Sequence, residues 1–187
     1  MATEPHDDLD LVREFRAGNE RAFNDLVLRY RGGVLATALG MVGNKDDAED
    51  IAQEVFVRAY QSIDGFRGDS AFYTWLYRIT VNLCLNHLRR RKTRTFFGLE
   101  DKQLVQPEAE KADHPLELAE LSAKARQAIS ELPEKQRAVF LLRHFQELPH
   151  AEIARILDRD EGTIKANYFQ AVRKLRTKLG PYLKGEE

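Results

Sequence analysis

Apolar side chains recur every three or four residues along most of the chain, the spacing of helices that bury one face. In NKDDAEDIAQEVFVRAYQSI this stripe comprises Ala48, Ile51, Ala52, Val55, Phe56, Ala59 and Ile63. No stretch alternates strictly between apolar and polar residues, as a half-buried strand would. The pattern therefore predicts an all-α protein.

Short polar residues and glycines mark where the first helices begin and end. Asn19 and Asn44 each precede an apolar repeat, and asparagine side chains accept hydrogen bonds from the first free amides of a helix. The pair Gly32-Gly33 lies inside the helix that follows Asn19. Because glycine weakens a helix, a kink or break is expected at this pair.

The longest helix follows the loop DGFRGD, is expected to be capped by Asp69 or Ser70, and runs to about Arg91. Its apolar positions at steps of four, three and four predict one core face: Phe72, Leu76, Ile79 and Leu83. Trp75 borders that face, and packing is the more frequent fate of such a ring. The remaining positions are expected outside the core face: Tyr73, Tyr77, Arg78, Val81 and Asn82.

The helical pattern stops at residues 93–115, which hold two prolines, many charges and no sustained period. Such composition is typical of a linker. Helical patterning then resumes in LELAELSAKARQAISELP and continues to the end of the chain. The sequence therefore predicts two small helical domains, residues 1–92 and 116–187, joined by a flexible linker over 93–115.

Charge is segregated along the chain although the net charge is only -1. Residues 65–94 hold 7 basic and 1 acidic residues, and residues 135–187 hold 11 and 7. The segments around them, 1–64 and 95–134, are acidic. This arrangement indicates two surfaces for a polyanion, with acidic stretches available to other partners. Chance clustering of solvated charge is the alternative.

Several classes of protein are disfavoured by the composition. The acidic N-terminus lacks the basic and apolar regions of a signal peptide, and no apolar run approaches a membrane span. The chain is therefore expected to be intracellular. The single cysteine, Cys84, lies in an apolar run and is expected to be a core residue. The histidines show no zinc spacing, and no catalytic cluster, cofactor motif or metal site is recognised.

The end of the long helix combines rings with positive charge. Arg89, Arg90, Arg91, Lys92 and Arg94 occupy six residues, too many for the helix dipole alone to explain. Rings beside cations bind single-stranded nucleic acid, because bases stack on rings while cations follow the backbone. A surface carrying Tyr73, Arg78 and Asn82 with this basic run is therefore expected to hold an unpaired strand, and the glycine loop before it to admit a flipped base.

A short helix opened by Pro149 and His150, a tight turn at Gly162 and a longer basic helix form a helix-turn-helix pattern. Ile153 and Ile164 are expected in its core. The candidates for base edges in the major groove are Thr163, Lys165, Ala166, Asn167, Phe169 and Gln170. Phosphate contacts are expected from Arg173, Lys174 and Arg176. A plain helical hairpin with a solvated basic face is the alternative.

Three blocks in order resemble extracytoplasmic-function (ECF) sigma factors, the alternative promoter-specificity subunits of bacterial RNA polymerase, and the envelope-stress type most closely. They are DAEDIAQEVFVRAY, FRGDSAFYTWLYRITVN, and LPEKQRAVFLLRHFQELPHAEIARIL followed by GTIK. The resemblance covers nearly the whole chain except the linker. It implies a sigma region 2 domain, a linker toward the polymerase active-site channel, and a sigma region 4 helix-turn-helix.

The resemblance also implies partners and sites. In the family, region 2 binds the β′ coiled coil of core polymerase, region 4 lies near the β flap, and an anti-sigma protein, often membrane-anchored, holds the factor inactive. Core-binding positions would be Asp50, Gln53, Glu54 and Arg58. Positions that melt the minus-ten element would be Phe66, Arg67, Gly68, Asp69, Ser70, Phe72, Tyr73, Trp75, Arg78, Asn82, Arg89 and Arg90.

One departure limits the resemblance: Lys165 is followed by Ala166, Asn167 and Tyr168, whereas many relatives carry Ser or Thr and then Arg. The minus-thirty-five sequence read by GTIKANYF therefore cannot be transferred from relatives. The chain is therefore expected to be a sigma factor that acts in the cytoplasm. It is expected neither to be an enzyme nor to take a small-molecule substrate. A stand-alone helix-turn-helix regulator would leave the aromatic and basic stretch without a role, and a hydrolase has no catalytic cluster in its favour.

Overall fold

The computed structural model describes residues 7–97 and 116–183, and within these ranges every regular element is a helix. The helices are α1 (Asp8–Arg16), α2 (Glu20–Val42), α3 (Lys45–Ser62), α4 (Phe72–Phe96), α5 (Leu116–Ser130), α6 (Glu134–His144), α7 (His150–Leu157) and α8 (Glu161–Leu183). The all-α class is therefore confirmed. The domain boundaries stay a prediction, because most of the expected linker lies outside the described residues.

Helices α1 to α4 form a first bundle whose starts follow the expected caps. The Asn19 side chain accepts from the Arg21 amide at 3.2 Å, and the Asn44 side chain accepts from the Asp47 amide at 2.9 Å. Gly43 ends α2 in the left-handed region with φ 76°, which glycine adopts without a steric cost. The bundle buries apolar residues of all four helices, among them Leu11, Leu26, Val34, Met41, Val55, Phe72 and Leu76.

Helices α5 to α8 form a second unit around their own apolar cluster of Ala128, Leu132, Phe140, Ala171 and Leu175. The expected core residues Ile153 and Ile164 are buried at 0% and 1% exposure, so α7 packs on α8 as predicted. The turn between these helices differs from the prediction. Its left-handed residue is Asp158, with φ 51°, whereas Gly162 lies inside the first turn of α8.

The second unit packs directly on the first, and one core cluster extends across both. Helix α6 lies against α2, where a Cβ atom at Gly40 would stand 2.6 Å from the Leu141 side chain. Helix α7 lies against α4, with Thr74 Oγ1 donating to Glu152 Oε2 at 2.8 Å. This contact buries sides of α2 and α4 that an isolated first domain would expose to solvent.

Three expectations about helix boundaries are wrong. Helix α2 runs unbroken through Gly32-Gly33. Helix α4 begins after Ala71 with no side-chain cap from Asp69 or Ser70, and it ends at Phe96 instead of about Arg91. Packing against neighbouring helices decides where these helices begin and end, and it outweighs the weak preference of single residues for a break or a cap.

Candidate nucleic-acid interface

An exposed row of polar side chains runs along α4. Arg78, Asn82 and Arg89 are all exposed and are spaced by four and seven residues, which places them on one side of the helix. Arg90 is exposed beside this row. The row therefore has the donors and the positive charge that a single strand requires.

The loop before α4 presents its tip to solvent at the N-terminal end of this row. Arg67, Gly68 and Asp69 are exposed, and Gly68 has φ 78°, in the left-handed region that favours glycine. Ser70 is half-buried. The loop tip is therefore accessible immediately before the N-terminal end of α4.

Arg16 supports this loop from α1, a role that its sequence pattern did not reveal. Its guanidinium donates to three backbone carbonyls, those of Ile63 at 2.5 Å, Asp64 at 3.1 Å and Phe66 at 2.5 Å. Charged hydrogen bonds of this kind are stronger than neutral ones. Arg16 thereby fixes the turn from which residues 67–70 project.

The rings below the loop form a packed cluster. Phe66 and Phe72 are only 4% and 2% exposed, with ring centroids 5.8 Å apart, and both contact the half-buried Trp75 at 5.4 and 5.5 Å. In this arrangement Phe66 and Phe72 support the loop from the core and do not offer a free ring face. Tyr73 is half-buried and retains partial access.

The expectation that Tyr77 and Val81 lie outside the core is wrong. They are 4% and 1% exposed, because the α6–α7 loop and α7 cover this side of α4. The Tyr77 hydroxyl donates to Gln146 Oε1 at 2.6 Å, and burial raises the pKa of Tyr77 to about 12. Arg78 also reaches the second unit, donating to the carbonyl of Arg155.

The basic end of α4 projects beyond the bundle. Lys92 Nζ lies 2.6 Å from Glu134 Oε1, a contact to the second unit. Phe96 and Phe97 follow with 84% and 67% exposure and ring centroids 5.4 Å apart. Exposed rings beside cations are the combination expected of a surface for single-stranded nucleic acid, so Phe96 and Phe97 would lengthen the predicted surface.

Asp160 fixes the start of α8. Its carboxylate accepts from the Thr163 amide at 2.7 Å and from the Thr163 hydroxyl at 2.5 Å. These two hydrogen bonds hold the pKa of Asp160 below its ordinary value. Thr163, an expected base-contacting residue, is therefore bound to the helix cap in this arrangement.

The outer side of α8 carries most of the other predicted duplex contacts. Lys165 is exposed and pairs with Glu161 at 2.7 Å, while Asn167 Nδ2 donates to the Thr163 carbonyl at 3.0 Å. Phe169 is 63% exposed, whereas most phenylalanine side chains in folded proteins are buried. The other predicted positions are exposed or half-buried: Ala166, Gln170, Arg173 and Lys174.

A separate surface lies on α3. The four expected polymerase-contacting residues, Asp50, Gln53, Glu54 and Arg58, are all exposed, and Glu54 pairs with Arg58 at 2.7 Å. Val57 and Tyr60 lie on the same helix with 49% and 47% exposure. The Tyr60 ring also packs against Phe15 and Phe23, with centroid distances of 5.1 and 5.2 Å, so only part of it faces solvent. Val57 follows Glu54 by three residues, and this helical spacing was the signal that could have added it to the surface.

No group of three or more histidine, cysteine or acidic residues that could hold a metal occurs in the described ranges 7–97 and 116–183. Among the same residues, no helix is long and apolar enough to cross a membrane. Cys84 is buried, and burial raises the pKa of its thiol to about 12, as expected for a core cysteine.

Comparisons with known proteins agree in both halves of the chain. The family models described as Sigma-70 region 2 and Sigma-70, region 4 match residues 26–94 and 122–175. RNA polymerase sigma-H factor of Pseudomonas aeruginosa is 36% identical over 95% of this chain and 96% of its own length. ECF RNA polymerase sigma-E factor of Escherichia coli is 37% identical over 93% and 95%.

Two solved structures share the fold. CnrH, in complex with the cytosolic domain of CnrY, superposes with TM-score 0.69 at 23% identity, covering 94% of this chain and 97% of CnrH. The sigma factor RpoE of Bartonella quintana, in complex with the anti-sigma factor NepR, superposes with TM-score 0.69 at 22% identity, covering 88% and 98%.

Proposed function

The chain belongs to the ECF group of the sigma-70 family, and from this membership we propose which of its surfaces meet polymerase and promoter DNA. As an alternative sigma factor it directs core RNA polymerase to specific promoters and initiates transcription there. The stand-alone regulator is not favoured, since both sigma regions are present. The polymerase supplies the chemistry of RNA synthesis, so no catalytic role is assigned to residues of this chain.

The exposed side of α3 is proposed to bind core polymerase at the β′ coiled coil. Its charged residues, Asp50, Glu54 and Arg58, lie beside the exposed Val57, and Tyr60 is partly exposed farther round the helix. Exposed apolar residues beside charged ones are typical of protein interfaces, in which the apolar anchors contribute most of the affinity. The β flap is proposed as a second polymerase contact, made by the region 4 unit.

Promoter opening is proposed to use the row on α4 and the loop before it. Arg78, Asn82 and Arg89 would follow the non-template strand, and the exposed tip at residues 67–69 would receive a flipped base. Phe66 and Phe72 act indirectly, by packing beneath the loop. Binding to an unpaired strand and not to the duplex is what shifts the equilibrium toward the open promoter.

Duplex recognition upstream is proposed for α8. Lys165 can donate to guanine, Asn167 and Gln170 can pair with adenine, and Phe169 can contact a thymine methyl. Arg173 and Lys174 follow on the same helix for phosphates. Since Ala166 and Asn167 stand where many relatives carry other residues, the minus-thirty-five sequence is expected to differ from theirs.

Regulation by an anti-sigma factor is also proposed, with the chain acting in the cytoplasm. Of two structures of similar fold, that of RpoE contains the anti-sigma factor NepR and that of CnrH contains the cytosolic domain of CnrY. The acidic surfaces and the exposed apolar residues of α3 offer contacts for a protein partner. A membrane-anchored partner would hold the factor at the inner membrane.

The observation that carries the proposal is the exposed row Arg78, Asn82 and Arg89 beside the Gly68 loop, on the same chain as an outward-facing recognition helix. Its test is polymerase-dependent promoter opening, followed by permanganate, which oxidises unpaired thymines. Holoenzyme should make thymines reactive within one short promoter segment, whereas core polymerase alone should not. Protection of every thymine in a stably bound complex would contradict the melting role.

A further inference from the structure

A cavity of about 300 Å³ lies at the seam between the two units, on the side of α4 opposite the exposed row. It is lined by Arg29, Tyr30, Gly33, Tyr73, Tyr77, Gln146 and Leu148. Three of these seven residues are tyrosines, and Tyr73 is the one member of the lining that belongs to the expected minus-ten positions. The concentration of rings in one polar cavity needs an explanation beyond core packing.

The carboxamide of Gln146 is bound in this cavity from both of its ends. The Tyr77 hydroxyl donates to Oε1 at 2.6 Å, and Nε2 donates to the Gly33 carbonyl at 3.3 Å. A Cβ atom at position 33 would stand 2.2 Å from the Tyr77 hydroxyl and 2.7 Å from Gln146 Oε1. Glycine is therefore required here, because the backbone of α2 itself forms one wall of the site.

The two partners of Gln146 are those that an unpaired base would need. A primary carboxamide presents an acceptor oxygen next to an N–H donor, and the edge of each DNA base presents an acceptor next to a donor. Tyr77 supplies a donor and Gly33 an acceptor. A tyrosine hydroxyl, with an ordinary pKa of about 10, is protonated at neutral pH and therefore remains a donor when the cavity opens.

The loop that inserts Gln146 is held in a costly conformation. Glu147, the next residue, has φ 55°, in the left-handed region that side chains other than glycine rarely adopt. Arg143 Nη1 donates to the Leu148 carbonyl at 3.1 Å, and the Leu148 amide donates to the Leu142 carbonyl at 3.1 Å. Backbone held in this region by its surroundings is frequent at functional sites.

We propose that the seam cavity is a second base-binding site, which takes an unpaired base of the promoter strand once Gln146 and the second unit have moved away. The inference rests on the proposed melting function and deepens it. Tyr77 and Gly33 would bind the base edge, and the neighbouring rings of Tyr30 and Tyr73 would offer stacking surfaces. In the closed chain Gln146 occupies the place of the base, so closure and strand binding exclude each other.

The first test measures coupling between Tyr77 and one base. Holoenzyme is titrated with a fluorescent non-template oligonucleotide of a promoter that it opens, and with copies that each lack one base. One base removal should weaken wild-type binding at least about fivefold to tenfold, the range expected for loss of a single hydrogen bond or stacking contact. In Tyr77→Phe holoenzyme, removal of the same base should weaken oligonucleotide binding by a markedly smaller factor. Tyr182→Phe, at the far end of α8, is the matched control.

The second test uses the free full-length chain and the same oligonucleotide. Gln146→Ala should bind the strand more tightly than wild type, because the site is vacated. The double variant Gln146→Ala with Tyr77→Phe should lose that gain. A gain that survives in the double variant would mean that opening only exposes other residues, such as Arg78, and would overturn the base site.

The outcomes separate this inference from the proposed function. Holoenzyme that opens promoters, with no base position coupled to Tyr77, overturns the seam site alone. Holoenzyme that binds no promoter strand in any variant overturns both. If Tyr77→Phe loses its helical circular dichroism, Tyr73→Leu provides a second route, because it removes a stacking surface of the same cavity and should give the same loss of coupling.

Discussion

Arg137 Nη1 donates to the carbonyl oxygen of Met41 at 2.5 Å and thereby joins α6 to the C-terminal end of α2. The same guanidinium donates to the carbonyls of Ser130 and Leu132, so one side chain holds the ends of α2 and α5 together. Arg137 is only 9% exposed, and burial lowers its pKa. Its charge is tolerated because the carbonyl ends of helices are negative.

Replacing Arg137 is expected to weaken the packing between the two units. Arg137→Met removes three hydrogen bonds and leaves buried carbonyls unpaired, so the free energy of unfolding should fall by about 3 kcal/mol. Chemical denaturation followed by circular dichroism measures this. Arg155→Met, which removes only an exposed ion pair with Glu152, should change stability by less than about 1 kcal/mol. Equal effects of both variants would contradict the assigned role.

The glycines of α2 provide a matched pair for the docking of α6. Gly32 has no atom near its Cβ position, so Gly32→Ala should stabilise the chain by about 0.5–1 kcal/mol through helix propensity. Gly40→Ala gains the same propensity but pushes on Leu141, 2.6 Å from the new methyl group. It should therefore be less stable than Gly32→Ala, as thermal unfolding measures. Identical midpoints would mean that α6 does not rest on Gly40 in solution.

The start of the recognition helix is expected to depend on pH through Asp160. The folded chain lowers the pKa of this carboxyl, so its stabilising effect is complete above the ordinary carboxyl pKa. It is then lost as the pH falls through the lowered folded value. Asp160→Ala should melt at a lower temperature than wild type at pH 7, and the difference should shrink in acid. Asp160→Asn keeps an acceptor and should restore part of the stability.

Asn82 is expected to act in melting and not in polymerase binding. Asn82→Ala holoenzyme should form on core polymerase with wild-type affinity but give fewer permanganate-reactive thymines, since a donor to the open strand is lost. Asn24→Ala, an exposed amide on α2, is the control and should open promoters normally. Unchanged reactivity in Asn82→Ala would remove this residue from the minus-ten surface.

Lys165 is expected to act on the upstream duplex. Lys165→Ala should weaken holoenzyme binding to the minus-thirty-five element, by about 1–3 kcal/mol if the amine reads a guanine. Lys178→Ala removes a charge about three and a half turns farther along α8 and should mainly reduce the salt dependence of DNA binding. Wild-type affinity and base preference in Lys165→Ala would exclude it from base reading.

The sequence predicted the fold class because apolar spacing alone reports a helix with one buried face. It predicted the wrong burial on α4, since its period suggested one core face around Phe72 and Leu76. Tyr77 and Val81 are buried as well, because a second surface, from α7 and its loop, packs on another side. Such contacts between units distant in the chain leave no periodic signal.

The sequence also could not predict the role of a residue whose type suits more than one structural position. Gly33 was expected to weaken α2, yet it permits close approach of Tyr77 and Gln146 in an unbroken helix. Gly162 was expected to form the turn that Asp158 forms instead. The candidate surface residues Arg78, Asn82 and Arg89 were predictable because charge and spacing agree, whereas Arg16 and Gln146 act through contacts visible only in three dimensions.

The most direct test of the sigma-factor account is transcription in vitro from a library of DNA fragments. Purified chain with core RNA polymerase is compared with core polymerase alone, and the start sites are mapped by sequencing the transcripts. The account predicts discrete start sites that appear only with the chain and share two upstream sequence elements. Failure of the chain to bind core polymerase, or starts that are identical without it, would contradict the account.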